Sequence, residues 1–298
     1  MEKPKTTVIG SYPVETDTIE FMNNYFSQTD ISWKKYIDTA VKDLVDSGIE
    51  IISDGQTRDP FVNIFTRKLK GCRIRNRTEI IGKIEYKGPI TIEDQKYVKN
   101  IIPKDRKLIG LITGPFTLTK SCVDLYYNDE EKVAFDFAYA LNNEAKLLQK
   151  IVDIISIDEP FFSMGVPKYG KDLIEIITGG LSCPTRLHSC GDVSKVVSDL
   201  LDMPVDILSH EFKATPKLFD SFNEFNVTKK ICLGSVRSDN IRIEPVDEII
   251  NHIRKGIEVF GDKIVQLAPD CGLRMLPRNV AFQKLRNLVK AGEELYGR

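Results

Sequence analysis

Residues 153–160 read DIISIDEP. Ile154, Ile155 and Ile157 make a short β-branched run that stops at Asp158, Glu159 and a proline. A near-continuous apolar strand suits a parallel sheet covered on both faces. Polar residues held back to its C-terminal end suit a fold that keeps its chemistry there. The pattern recurs seven more times, in TTVIGSYP (6–13), IEIISDGQ (49–56), LIGLITGP (108–115), TRLHSCG (185–191), VDILSHEF (205–212), KICLGSV (230–236) and KIVQLAPDCG (263–272). The stretches between these runs carry helical signals. Residues 31–47 space Trp33, Ile37, Ala40, Val41, Leu44 and Val45 on one helical face, and Gly48 ends the run. Residues 129–151 open on acids, as a helix N-terminus favours. Residues 245–260 and 277–295 each open on a proline expected in the first turn.

Eight apolar strands alternating with helices predict an α/β fold, a (β/α)8 TIM barrel, with residues 1–298 forming one catalytic domain. One segment breaks the rhythm. Residues 66–103 contain GKIEYKGPITIED, which predicts a β-hairpin inserted between the second and third strands, ahead of a helix near 92–100. An open doubly wound sheet is the competing architecture. Its dinucleotide-binding form has no glycine-rich fingerprint after the first strand to support it.

Bulk composition narrows the function. The chain has 298 residues, 42% hydrophobic and 29% charged, with a formal net charge of −1. A near-neutral balance gives no reason to expect nucleic acid as a partner. The basic run KGCRIRNR (70–77) reads as a solvated loop. No apolar stretch approaches the ~18–20 residues of a membrane span, and MEKPKTTVIG lacks a signal-peptide core, so a cytoplasmic protein is expected. In that compartment the six cysteines are thiols or metal ligands rather than a disulfide framework. Cys72, Cys122, Cys183 and Cys232 lie in apolar surroundings and read as structural, and His252 reads as a surface residue beside Arg254 and Lys255.

A barrel brings the strand ends to one mouth. There the sequence delivers Ser11, Asp54, Gln56, Thr113, Asp158, Glu159, His188, Cys190, His210, Glu211, Ser235, Arg237, Asp270 and Cys271. His188 and Cys190 are two apart and face the same way on a strand. With Cys271 and an oxygen from Glu211 they form a tetrahedral zinc set of one nitrogen, two sulfurs and one oxygen. Cys190 and Cys271 each precede a glycine, where backbone can bend around a site. His210 and Glu211 face opposite ways, and spacing alone does not choose between them. Asp158 and Glu159 also face apart, which weakens a reading of them as the paired carboxylates of a hydrolase.

The pieces TTVIGSYP, SDGQTRDPF, GPFT, IDEP, HSC, the glutamate of SHEF, GSVRSDNIRIEPVDEI and APDCGLRMLPRNVAFQKLRNLV span nearly the whole chain. Together, and in this order, they resemble the catalytic half of the cobalamin-independent methionine synthase family. The resemblance implies a zinc ion (Zn2+) held by His188, Cys190, Glu211 and Cys271, and homocysteine held by Ser11 and Asp158. It thereby favours Glu211 over His210.

The departures from the family fall mostly on one side. The family's second homocysteine contact is a glutamate; here Gln56 stands in its place and lacks the charge to pair with an ammonium. GPFTLTK has no tryptophan where the family stacks folate, and where the family has a catalytic histidine the aligned VRSDNI offers Asp239. The family's full-length enzymes have two barrels, and this chain has one. Coordination to zinc deprotonates a thiol that is otherwise mostly protonated at neutral pH. A folate amine leaving group needs an acid, whereas a methyl-corrinoid does not. These losses therefore lead to an expectation of methylcobalamin or a methyl-corrinoid carrier protein as donor, with methyl-tetrahydrofolate as the alternative and Asp239 as a candidate substitute acid. Two rivals remain: a coenzyme M methyltransferase of the uroporphyrinogen-decarboxylase type, which also carries H-x-C, and a zinc-dependent sensor without turnover.

Overall fold

The computed structural model describes residues 2–15, 19, 33–58 and 60–297. Eight parallel strands form the central sheet: β1 (Lys5–Thr6), β2 (Ile51–Ile52), β5 (Lys107–Thr113), β7 (Ile154–Asp158), β8 (Thr185–His188), β9 (Ile207–His210), β10 (Lys230–Val236) and β11 (Ile264–Pro269). Their order is β1-β11-β10-β9-β8-β7-β5-β2. A parallel bridge from Thr7 to Ile51 joins the two ends, so the sheet closes into a barrel. The doubly wound alternative is excluded by that closure.

Alternation along the strands sorts residues into two layers. Leu108, Ile112, Ile155, Ile157, Leu187, Leu208, Leu233 and Leu267 face outward into the large core shared with the helices. Ile9, Ile207, Cys232 and Ala268 form a small cluster inside the barrel, and Ile51, Ile109, Leu111 and Ile154 form another. The inward positions nearer the mouth are polar.

The helices that cover the barrel include α1 (Lys34–Asp46), α2 (Phe61–Thr66), α3 (Ile92–Ile101), α4 (Pro115–Ser121), α5 (Glu130–Leu148), α9 (Val246–Phe260) and α10 (Arg278–Tyr296). Between them lie α6 (Gly170–Thr178), α7 (Val197–Leu201) and α8 (Leu218–Asn223). The first helix was expected over 31–47, and residues 31–32 lie outside the described residues. Pro245 and Pro277 stand one position ahead of α9 and α10 with extended ψ, not in the first turn.

The inserted hairpin is present. Strands β3 (Leu69–Ile74) and β4 (Thr78–Tyr86) pair antiparallel, and β6 (Val123–Asp124) adds to β4 in parallel. Glu144 of α5, fully buried, roots the insertion: it accepts hydrogen bonds from the Tyr86 hydroxyl (2.8 Å) and the Ile90 and Thr91 amides (2.9 and 2.7 Å).

His252 does not lie free on the surface. Helical spacing turns it toward the barrel, where Nε2 donates to the Gly234 carbonyl at 2.8 Å and the ring packs 5.3 Å from Phe219. Burial pushes its pKa down to about 4.

Candidate metal and substrate site

Strands β7, β8 and β9 build the floor of the site in two rungs. In the upper rung Asp158 is paired in register with His188, and His188 with Ser209. In the lower rung Ser156 is paired with Arg186, and Arg186 with Ile207. Each of Ser156, Arg186 and Ser209 is buried.

The nitrogen of His188 and the sulfurs of Cys190 and Cys271 lie within 4.8 Å of one another. Cys190 comes from the loop that leaves β8 and Cys271 from the loop that leaves β11. His188 is 2% exposed, and its Nδ1 lies 3.1 Å from the Ser209 hydroxyl. Its Nε2 is buried and has no hydrogen-bond partner. A buried imidazole nitrogen without a partner is costly, and a metal ion would relieve it. A histidine whose other nitrogen is held by a neighbour is the usual arrangement for a metal ligand. The neighbouring Cys190 thiol, ahead of burial, pushes the Cys271 pKa well up. A divalent cation among these donors would favour the thiolates instead. All three ligand atoms lie close enough together for one small cation to be held among them. The three residues therefore fit a zinc ion.

Glu211, expected as the fourth ligand, is not in that group. The Gly191 amide lies near enough to its carboxyl to pull its pKa down, and the carboxyl sits close enough to raise the Cys271 pKa. Burial, ahead of any neighbour, raises its own pKa. It stands beside the donors, near the loop that carries Cys190.

The other expected residues fall around this group. Asp158 is 8% exposed; its pKa is raised to about 6 by burial, against the pull of Arg186 and of a hydrogen bond from Ser156. Ser11 leans on the loop of Cys271: its carbonyl accepts from the Leu273 amide at 2.7 Å, and Gly272 packs against it closely enough that an added Cβ would lie 3.1 Å from the Ser11 hydroxyl. Gln56 is buried in a left-handed conformation with φ of 44°, rare for a residue with a side chain. The Asp54 carboxylate holds it there by accepting its amide at 3.0 Å. The Gln56 side-chain nitrogen has no partner.

Three residues read as polar strand ends have other work. Glu159 faces away from Asp158 and is saturated. It accepts from the Phe116 and Thr117 amides (2.9 and 2.8 Å) and the Thr117 hydroxyl (2.6 Å), and so fixes the start of α4. Asp270 accepts from the Lys213 and Ala214 amides at 3.0 and 2.7 Å and fixes the loop that follows Glu211. His210 faces outward, 5.5 Å from Phe222, and burial lowers its pKa to about 4.

Asp239 lies on the loop after β10. Its carboxylate is gripped by both arms of Arg237 at 2.8 and 2.7 Å, and its side chain is 58% exposed. The Arg237 hydrogen bonds hold its pKa below the ordinary value, so the group is ionised. The chain has three histidines, His188, His210 and His252, and the structure places each. None besides His188 reaches the mouth.

A sequence profile described as the catalytic domain of cobalamin-independent synthase matches residues 4–294. The chain belongs to the cobalamin-independent methionine synthase family. The methionine synthase of Methanocaldococcus jannaschii is 37% identical, over 96% of this chain and 97% of its own length. That of Methanothermobacter thermautotrophicus is 36% identical, over 96% and 98%. Among solved structures, a B12-independent methionine synthase from Shewanella in complex with selenomethionine superposes with a TM-score of 0.82 at 25% identity, over 98% of this chain and 97% of that one. The family's description gives the expected corrinoid donor, and with it a corrinoid carrier protein as partner, no support. No described helix is long and apolar enough to cross a membrane.

Proposed function

We propose that this enzyme transfers a methyl group to the thiol of homocysteine, with zinc held by His188, Cys190 and Cys271. The observation that carries the reading is His188, whose buried Nε2 has no partner and whose ring nitrogen is gathered within 4.8 Å of two cysteine sulfurs, one strand away from Asp158. When bound, zinc would supply the positive charge that takes a thiol's proton at neutral pH. The chain supplies the rest. Asp158 receives the substrate's ammonium. Ser11, beside the Cys271 loop, and Gln56, with a free side-chain NH2, hold the amino-acid end from the other side. Glu211, which stands close to Cys271, would be the residue to add an oxygen donor beside His188, Cys190 and Cys271.

For the methyl donor the family's description favours a compound other than a corrinoid, of the methyl-tetrahydrofolate type. One observation favours the second reading, a methyl-corrinoid free or on a carrier protein. No histidine is left to protonate a leaving amine, and Asp239 is held ionised by Arg237. An ionised carboxylate so held can orient a donor but has no proton to give. The deciding experiment compares methyl transfer to homocysteine from methyl-tetrahydrofolate and from methylcobalamin, each with and without a chelator. Turnover that survives complete metal removal overturns the zinc reading. Methylation of coenzyme M with homocysteine untouched overturns the substrate.

A further inference from the structure

We infer that Arg186 and Ser156 are positioning residues, which aim the Asp158 carboxylate at the substrate's ammonium through a one-way chain of hydrogen bonds. This rests on the reading above that Asp158 receives that ammonium. Arg186 is fully buried inside the barrel, the largest side chain so enclosed. Among the described residues no carboxylate pairs with it directly. Its NH1 donates to the Gln266 side-chain oxygen at 3.2 Å and reaches the Cys232 sulfur at 3.7 Å, and its NH2 donates to the Val8 carbonyl at 3.1 Å, so the guanidinium is fixed by β10, β11 and the segment that follows β1. Its Nε donates to the Ser156 hydroxyl oxygen at 3.1 Å. A guanidinium only donates. The serine therefore receives from Arg186, and its single proton must go elsewhere. It goes to Asp158 Oδ1, 3.0 Å away.

The direction of every link is thus forced. Val8 and Gln266 hold Arg186, Arg186 sets the Ser156 rotor, and Ser156 holds one Asp158 oxygen. Among the described residues Ser156 is the only hydrogen-bond donor to Asp158, which leaves Oδ2 for a ligand. Glu159, the next residue, shows the contrast, since three donors saturate it. The register makes the device possible: Ser156 and Arg186 are direct partners one rung below Asp158 and His188. The positive charge lies one serine below the carboxylate, where it opposes part of the effect of burial without taking the carboxylate for itself.

The test compares homocysteine with 4-mercaptobutanoate, the same thiol acid without its amino group. Asp158→Asn, Ser156→Ala, Ser156→Thr and Arg186→Gln are each assayed for kcat and KM, with zinc content and melting temperature recorded. Asp158→Asn is expected to raise KM for homocysteine at least tenfold and to leave KM for the desamino thiol within twofold. Ser156→Ala and Arg186→Gln are expected to raise KM for homocysteine alone by about three- to tenfold at unchanged zinc content, and Ser156→Thr, which keeps the hydroxyl, to restore it. If Asp158→Asn discriminates between the thiols and Ser156→Ala does not, the inference is overturned and the reading of Asp158 stands. Should Asp158→Asn fail to discriminate, that reading falls and takes the inference with it. An equal loss on both thiols in Ser156→Ala, tracking zinc or melting temperature, assigns the serine a merely structural role and also overturns the inference.

Discussion

The inner face of β7–β9 and the loop after β10 are built on different terms, although both serve one mouth. On the inner face each working side chain is backed by a buried neighbour: Asp158 by Ser156, His188 by Ser209, and the serine of the first pair by Arg186. On the loop the root is equally firm. Glu244 accepts the Arg237 amide at 2.9 Å and pairs with Lys284 at 2.7 Å, with both side chains almost wholly buried. Its tip is not: Arg237 and Asp239 hold only each other, and both are well exposed. Exposed ion pairs contribute little and rearrange easily, whereas buried polar chains fix one geometry. On the proposed reading, the side that takes the methyl acceptor is thus preset by the barrel, and the rim proposed to meet the donor is left adaptable.

The comparison breaks first at the metal. Replacing Cys190, Cys271 or His188 by alanine removes one of three gathered donors, and zinc content should fall with activity by at least about 100-fold. Elemental analysis alongside methyl-transfer assays checks this. Full activity in a zinc-free Cys271→Ala protein would mean that the inner face holds no metal that matters.

The next largest effect tests the scaffold rather than the chemistry. Gly114, ahead of α4, lies against Glu159 so closely that an added Cβ would sit 2.2 Å from its carboxyl carbon. Gly114→Ala must push Glu159 off its three donors, at a cost of about 3 kcal/mol. Denaturant unfolding measures it. A change below about 1 kcal/mol would show that Glu159 has somewhere else to go.

Much of this layout was legible in the sequence, and the exceptions have physical causes. Strand ends were readable because parallel strands hide both faces and keep polarity for one end, as in DIISIDEP. The hairpin was readable in GKIEYKGPITIED because its alternation differs from the neighbouring runs. Arg186 and Ser156 were passed over, although each stands two residues before a residue that was singled out, on the same face of its strand. What gives them meaning is that β7 and β8 pair them, and register is a tertiary fact. His252 looked solvated because its sequence neighbours are charged, but helical geometry sets the side it faces. Glu211 is favoured over His210 only by a family resemblance, and its place outside the gathered donors is set by a loop that no spacing predicts.

The smallest expected effect is the most informative about the donor. Asp239→Asn keeps the shape and the exposure of the rim but removes the charge that pairs with Arg237. If the carboxylate is only an ionised surface partner, kcat with the true donor changes by no more than about threefold, since such pairs typically contribute about half a kcal/mol. If it carries the proton for a leaving amine, kcat with methyl-tetrahydrofolate falls by about 100-fold or more, the usual range for a general acid, and transfer from methylcobalamin is spared. The pH profile separates the cases further. The Arg237 hydrogen bonds depress the Asp239 pKa, so the fraction able to donate a proton shrinks at neutral pH, and an acid role would make activity rise as pH falls toward the carboxylate range. A flat profile there, with a threefold or smaller loss in Asp239→Asn, leaves the rim as a place where the donor rests and not where its bond is broken.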